Sequence, residues 1–367
     1  VVAVLGARQV GKTTLARQVV AARRSATAVF DLENTEDLSR LADPLLALRR
    51  ERGLVVIDEV QRLPELFKTL RVLVDELGTR RRFLVLGSAA PELLRQGSET
   101  LAGRIAYHEL EGFRLDEVGV ARLPRLWLRG GFPRSFLART EAESGRWREE
   151  FIRSFLERDI PQFGLRIPAP ALRRFWSMIA HYHAQTWNGS ELARAFGVAH
   201  TTVQRYLDVL TETFMVRQLP PWHANLAKRQ VRSPKVYLRD AGLLHTLLGV
   251  HTVRDLEGHP KAGASWEGFA LGVVLDRLGA RPGEAYFWGT HAGAELDLLV
   301  VRGGTRLGFE FKRTSAPTIT ASMRTALADL KLQRLDVIHG GRETFPLSDR
   351  IRAVPLDRVR RDVYPLR

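Results

Sequence analysis

Cysteine is absent from all 367 residues, which excludes disulfides and thiolate-bound metals and fits a reducing cytoplasm. No apolar run approaches the roughly 18 to 20 residues that a membrane-spanning helix needs, so the expected location is cytoplasmic, with no membrane partner. No signal peptide is read, because Val1 opens directly into a buried-type strand. The initiator methionine is missing, which suggests that residues ahead of this strand have been trimmed. There is also no internal repeat and no long low-complexity linker. What remains is 45% hydrophobic and 26% charged, an ordinary globular balance rather than a disordered one. The length exceeds one typical core, so two or three domains are expected.

Negative charge is the minority: 41 Asp and Glu stand against 56 Lys and Arg, for a formal net charge of +15. Such an excess points to an anionic partner, with nucleic acid ahead of a membrane surface. A general basic bias would give the same balance, since Arg heavily outnumbers Lys.

Val1–Leu5, Ala28–Leu32, Leu54–Ile57 and Phe83–Leu86 read as buried parallel strands. Helical periodicity runs between them, over Thr13–Ala22 and Leu66–Leu77, which predicts a doubly wound α/β domain. After about Glu111 the strands stop. From Trp127 to Thr213 the pattern is largely helical, with a proline-bearing break around Ile160–Pro170. From Trp266 onwards a helix, several strands, another helix and a final strand predict a separate α/β domain. The basic stretch Pro220–Pro234 is the expected hinge.

Gly6-Ala7-Arg8-Gln9-Val10-Gly11-Lys12-Thr13 fits the G-x-x-x-x-G-K-[ST] phosphate-loop pattern without exception, between a strand ending at Leu5 and a helix beginning near Lys12. Glycines let the backbone N–H groups wrap an anion, and the helix N-terminus adds partial positive charge there. Lys12 is expected on the β- and γ-phosphates and Thr13 on magnesium, with Thr14 completing the nucleotide-binding stretch. Arg8 counts among these nucleotide-binding residues, the alternative being that it simply faces solvent. The strand Leu54–Ile57 runs into Asp58 and Glu59, expected respectively to hold the ATP magnesium and to polarise the attacking water. Paired carboxylates there favour hydrolysis over mere nucleotide binding. The strand Phe83–Leu86 ends in Gly87-Ser88, where Ser88 either contacts the γ-phosphate or water, as a sensor does, or caps the next helix. Arg104 is either an arginine finger, in cis or from a neighbouring subunit, or a solvated surface residue.

Ser190–Phe196, a turn at Gly197–Ala199 and His200–Leu210 have helix-turn-helix spacing. Thr201 or Thr202 is the expected cap of the second helix. Leu192, Ala193, Val198, Val203, Leu207 and Leu210 would form the apolar seam, leaving His200, Thr202, Gln204 and Arg205 on the face that enters a DNA groove. Phe214–Leu219 would be the strand of a wing. Such units also pack on protein without meeting DNA.

Near the C-terminus, Glu295–Val301 and Leu307–Lys312 flank the turn Arg302–Thr305. Period-two alternation puts Glu310 and Lys312 on one face, with Asp297 reachable across the hairpin and Glu267 on a preceding helix. Carboxylates with a lysine suit a metal-dependent phosphodiesterase, Glu267, Asp297 and Glu310 being the candidate magnesium ligands beside Lys312. The element order is that of the PD-(D/E)xK nucleases, although such domains also persist as binding modules.

With these parts in view, the chain resembles a bacterial and archaeal family of AAA-type ATPases with a C-terminal uncharacterised domain. The likeness is carried by Gly6–Thr14, Val56–Glu59, Leu101–Arg104, Gly130-Gly131-Phe132-Pro133 and Glu157-Arg158-Asp159-Ile160. It continues through Thr202–Leu207, Trp266-Glu267-Gly268-Phe269 and Glu310-Phe311-Lys312. The resemblance implies ATP binding at the first motif and a restriction-endonuclease-like fold at the last. Residues normally found ahead of the first strand are lacking, which puts any adenine contact there in doubt. The expected fold is α/β, with an AAA-type P-loop parallel sheet over 1–110, a helical lid or linker over 111–175, a winged helix-turn-helix over 176–235 and a restriction-endonuclease-like domain over 236–367. The expected function is ATP hydrolysis with magnesium, acting on DNA, with a homo-oligomer as a further partner expectation. The competing readings are an ATP-controlled signalling switch whose C-terminal domains bind protein, and a structural descendant that holds ATP without hydrolysing it.

Overall fold

The structure is a computed structural model that describes residues 1–23, 25–77, 81–88, 101–162, 167–223 and 233–366. The chain forms two compact units. The first comprises Val1–Gly112, Asp159–Arg166 and Asp208–Met215, and the second the remaining segments.

In the first unit, mostly apolar runs become the strands of one sheet, with the central ones buried and a polar, exposed strand added at one edge. These are β1 (Val2–Leu5), β2 (Thr27–Asp31), β3 (Gly53–Asp58), β4 (Arg81–Gly87) and β5 (Ala106–Glu109). They form one sheet in the order β2-β3-β4-β1-β5, parallel throughout. Alternation divides its side chains between two cores. Ala3, Leu5, Val55, Ile57 and Val85 pack with Phe67, Leu70 and Leu73 of the helix Leu66–Leu77. Val4, Val56, Leu84 and Leu86 pack with Ala16 of the helix Lys12–Ala21. The sheet is therefore covered on both sides, and β4 lies between the strands that lead to the phosphate loop and to Asp58. The helix Pro44–Arg50 starts on an Asp43 cap, whose carboxylate accepts from the Leu46 N–H at 3.0 Å.

The second unit carries the short helix Leu115–Val118 and then the helices Leu123–Arg129, Pro133–Phe136 and Glu141–Ser154, the last capped by Thr140. Its end widens into a π turn over Phe155–Asp159, whose last residue belongs to the first unit. The proline-bearing break falls partly on 163–166, outside the described residues, and the helix Ala169–His181 follows. Helices Gly189–Phe196 and His200–Glu212 meet at Gly197, whose φ of 71° suits the turn. The second of these starts at His200, so Thr201 and Thr202 lie inside its first turn and neither is the cap. Leu192, Ala193, Val203, Leu207 and Leu210 are buried and Val198 is half-buried. Strands β6 (Gln185–Thr186), β7 (Val216–Leu219) and β8 (Lys235–Leu238) form an antiparallel sheet in the order β6-β8-β7. The two-residue β6 was not anticipated within the helical stretch. The expected hinge lies largely outside the described residues, but its first part bonds to the next sheet, the Trp222 N–H donating to the Phe287 carbonyl at 2.7 Å.

The helix Ala262–Leu278 then precedes β9 (Ala285–Gly289), β10 (Glu295–Arg302), β11 (Thr305–Lys312), β12 (Arg334–His339), β13 (Phe345–Ser348) and β14 (Ile351–Pro355). Their order is β13-β14-β12-β11-β10-β9, antiparallel from β9 to β11, parallel through β12 and β14, with β13 antiparallel at the edge. The helix Ala321–Asp329 connects β11 to β12. Two strands beyond the expected final one extend the sheet. One face packs Leu298, Val300, Phe309 and Phe311 against Trp266 and Ala270, and the other packs Leu296, Leu299 and Val337 against Met323 and Ala326.

The Gly130-Gly131 pair has a specific structural cause. Gly130 has φ +76°, and a Cβ there would lie 2.1 Å from Asp240 Oδ1. That carboxylate accepts from the N–H groups of Gly131 at 2.7 Å and Leu243 at 2.8 Å. Substituting Gly130→Ala combines left-handed strain with loss of this cap, and should lower stability by roughly 2–3 kcal/mol. Urea unfolding followed by tryptophan fluorescence measures it, and an unchanged midpoint would mean that Asp240 moves aside freely.

Candidate functional site

The phosphate loop leaves β1 where only glycine fits. A Cβ on Gly6 would stand 2.1 Å from the Leu110 carbonyl oxygen, because β5 passes so close that the Leu110 N–H donates to the Leu5 carbonyl at 2.7 Å. Gln9 at φ 64° and Gly11 at φ 107° then curl the chain into the helix Lys12–Ala21. Ala7 and Val10 are buried beneath the loop, while Gln9, Thr13 and Thr14 are exposed.

Lys12 is buried, its Nζ donating to the carbonyls of Gly6 at 3.0 Å and Ala7 at 2.9 Å. Burial pushes this ammonium down to about 8, with Glu59 and Asp58 partly opposing. Such a group gains by meeting an anion. The Thr13 hydroxyl donates to Asp58 Oδ2 at 2.6 Å across the mouth of β3. Burial pushes the Asp58 carboxyl up, against that hydrogen bond. Glu59 follows in a left-handed turn, φ 57°, which aims its carboxylate back across the strand ends. Ser88 is buried at the end of β4 and its hydroxyl donates to Glu59 Oε2 at 3.2 Å. The residues of the expected helix after it lie outside the described residues.

Gln61 was missed by sequence reasoning. Its side-chain amide donates to the Glu59 carboxylate and to the Ser88 hydroxyl at 2.7 Å, and its carbonyl accepts from the Ser88 N–H at 3.3 Å. The signal was its position in the turn directly after Glu59. Arg8 is not a solvent residue: its side chain is 18% exposed and pairs with Asp159 and, at 2.6 Å, with Glu33. Arg104 lies at the opposite end of the sheet, its carbonyl accepting from the Val1 amino group at 2.9 Å and its guanidinium paired with Asp75 at 2.5 Å. Within one chain this half-exposed, ion-paired position agrees with the surface alternative for Arg104.

These residues fit a magnesium nucleotide: a positively charged loop with glycine-only backbone and a hydroxyl–carboxylate pair at its edge. Thr13 and Asp58 would hold the ion, which supplies charge neutralisation on the phosphates when bound.

The C-terminal carboxylates also converge, but around a different cation. The Leu298–Phe309 pairing brings Asp297 alongside Glu310, and a bulge in β10 between Leu296 and Leu299 turns it there. Asp297 Oδ2 accepts from the Phe311 N–H at 3.1 Å. Between these acids sits Lys235 of β8, buried, its Nζ 3.3 Å from Glu267, 3.3 Å from Asp297 and paired with Glu295. Tyr237 donates to Glu267 at 2.8 Å, and Lys312 pairs with Glu310 at 3.1 Å. Burial opposes the Lys235 charge, yet Tyr237, Glu267, Asp297 and Glu295 raise it well above its ordinary value. Burial and the Asp297 charge push Glu310 up to about 8 and Glu267 up to about 7. Among the described residues no three His, Cys, Asp or Glu side chains are arranged to hold a metal ion. Glu267, Asp297 and Glu310, the expected magnesium set, do come together, with Lys235 and Lys312 paired among them.

On the helix-turn-helix, His200 and Arg205 are exposed, and Thr202 and Gln204 are half-buried. The His200 ring lies close to Gly189, where a Cβ would meet its Nε2 at 2.6 Å. Among the described residues no helix is long and apolar enough to cross a membrane.

The parallel sheet and its loop define a P-loop domain of AAA type, and residues 1–119 match the family model described as an AAA domain. Residues 120–254 and 262–359 match two domains of unknown function, DUF8612 and DUF4143. The chain belongs to the family of the uncharacterized proteins Rv2008c of Mycobacterium tuberculosis and Mb2031c of Mycobacterium bovis. It is 53% identical to each over 361 residues, 98% of this chain and 80% of theirs. Among solved structures it is similar to the Aeropyrum pernix ORC1 protein in complex with DNA, with 13% identity, 68% of this chain and 86% of that one covered, and a TM-score of 0.32. It is also similar to the Thermotoga maritima RuvB Holliday junction branch migration motor, with 18% identity, 60% and 82% covered, and a TM-score of 0.29. Likenesses so distant carry no argument about what this chain does.

Two outcomes test the C-terminal assignment. Unfolded carboxyls lose their protons near about 4.5, whereas Glu267 and Glu310 keep theirs to about 7 and about 8. The folded state therefore binds more protons in this window, and stability should fall as pH rises from about 4.5 to about 8. Glu310→Gln should flatten that slope in urea unfolding, and an unchanged slope would contradict the protonation assigned here. Lys235→Met strands buried carboxylates and should cost about 3–5 kcal/mol. Saturable stabilisation of the wild type by Mn²⁺ without nucleotide would restore the metal reading.

Proposed function

We propose that this protein is a magnesium-dependent ATPase that works on duplex DNA, with a C-terminal domain that binds without cleaving. The observation that carries the ATPase reading is the constellation at the strand ends: Lys12 facing the loop carbonyls, Thr13 bonded to Asp58, and Glu59 held by Gln61 and Ser88. Its loop residues Gly6–Thr14 would cradle the phosphates through N–H groups, and Lys12 would balance charge at the γ-phosphate. Glu59 would take a proton from the attacking water as its oxygen bonds to the γ-phosphorus and the bond to the bridging oxygen of ADP breaks. Ser88 and Gln61 fix the direction of that carboxylate.

The DNA reading is supported by the net charge of +15 and by the order of helix, short strand, two helices and an antiparallel pair, which suits a winged helix. On that reading His200, Thr202, Gln204 and Arg205 face the groove, with Arg205 the most available for phosphate. The Lys235 ion-pair cluster favours a nuclease-like fold kept for binding over active cleavage. Assembly into a homo-oligomer, which would give Arg104 a site in trans, belongs to the same proposal.

Phosphate release and nucleotide binding test the ATPase. Lys12→Ala should abolish tight ATP binding. Glu59→Gln should bind normally and lose about 10²–10⁴-fold in turnover, and equal turnover would remove Glu59 from the mechanism. Duplex DNA affinity should fall steeply with salt, and Arg205→Ala should lessen the log–log slope by about 0.9 if it neutralises one phosphate. No duplex binding at low salt with ATP and magnesium would favour the signalling-switch reading.

A further inference from the structure

Arg8 and Asp159 are 151 residues apart in sequence, yet their side chains meet at the phosphate loop. Both belong to the first compact unit. The Arg8 guanidinium divides its donors between Asp159 and Glu33, which follows β2 at the same end of the sheet as the loop. It is also an electrostatic neighbour of Lys12 and of Glu59. A γ-phosphate placed between those two groups would lie within the field of Arg8, and a guanidinium prefers a bidentate phosphate contact to a single carboxylate oxygen.

Asp159 is the more constrained partner. Its side chain is 7% exposed, and among the described residues Arg8 is its one hydrogen-bond donor. Withdrawal of Arg8 would strand a buried carboxylate, which costs enough to force the segment to rearrange toward water. The backbone there is already unusual: Phe155–Asp159 is a π turn, a rare conformation that gathers at functional sites. This gives Glu157-Arg158-Asp159-Ile160 a physical role that the sequence alone did not supply.

We propose that Asp159 senses the nucleotide: the γ-phosphate of ATP and the Asp159 carboxylate compete for Arg8, so that ATP frees the Phe155–Asp159 turn and ADP restores the pair. This rests on the loop being an ATP site. The competition is reciprocal, because a group that ATP displaces must weaken ATP by the same factor.

Equilibrium binding of ATPγS and of ADP, each with magnesium, tests it on the full chain. Asp159→Asn should tighten ATPγS about tenfold relative to ADP, roughly 1.4 kcal/mol, and Arg8→Ala should weaken ATPγS by a similar factor with little change for ADP. In the double variant the Asp159 substitution should have no further effect, because the competition needs Arg8. An unchanged ATPγS-to-ADP ratio in Asp159→Asn overturns the proposal, and so does weaker ATPγS binding, which would make Asp159 a holder of Arg8 for phosphate. Hydrogen exchange on the wild type needs no variant: amides of residues 155–162 should exchange faster with ATPγS than with ADP, and equal exchange overturns it. Failure of the wild type to bind either nucleotide would sink the ATPase reading along with this one.

Discussion

A buried ammonium must be answered by negative charge or lose its proton, and the phosphate loop leaves Lys12 half-answered. Two carbonyl oxygens and the more distant Glu59 and Asp58 do not offset its desolvation, so its pKa falls to about 8. Every feature around it follows from that condition. Glycine at position 6 lets β5 close over the loop, the turn through Gln9 and Gly11 directs N–H groups inward, and the covered sheet keeps water from screening the charge. The result is a site whose own electrostatics improve when an anion arrives.

Lys235 shows the opposite outcome of the same rule. It is as deeply buried, yet Glu267, Glu295, Asp297 and Tyr237 surround it and hold it charged. Protons retained on Glu310 and Glu267 complete the neutralisation. Since Lys235 belongs to β8 and its partners to β10 and the helix Ala262–Leu278, the cluster ties the three-stranded sheet to the six-stranded one within the second unit. Two lysines thus divide the chain's chemistry, one poised for a ligand and one already satisfied.

The sequence was readable wherever a function is written in adjacent residues. Gly6–Thr13 needs only its own spacing, Asp58-Glu59 closes an apolar strand, and the four parallel strands announce themselves as uninterrupted hydrophobic runs. What escaped was long-range. Asp159 reaches Arg8 across 151 residues, and Lys235 enters the acidic cluster from a strand 32 residues before Glu267 and 62 before Asp297. No periodicity carries such pairings. Arg104 was ambiguous because a chain with so many arginines offers many candidate fingers, and only the strand direction shows it at the far end of β1. The edge strands are short: β5 is polar and exposed, and β13 spans only four residues with a proline inside, so neither gave a strand signal.

The central claim is that Lys12 is an under-compensated ammonium completed by phosphate. Calorimetry of magnesium–ATP binding at about pH 9, repeated in buffers of different ionisation enthalpy, tests it most directly, because ATP itself then has no phosphate proton left to give. With the free site titrating near 8, most molecules would start neutral at Lys12 and take up a proton as the nucleotide binds. The account predicts an uptake approaching one proton, lost in Lys12→Met. Binding of unchanged affinity with no proton uptake would contradict it.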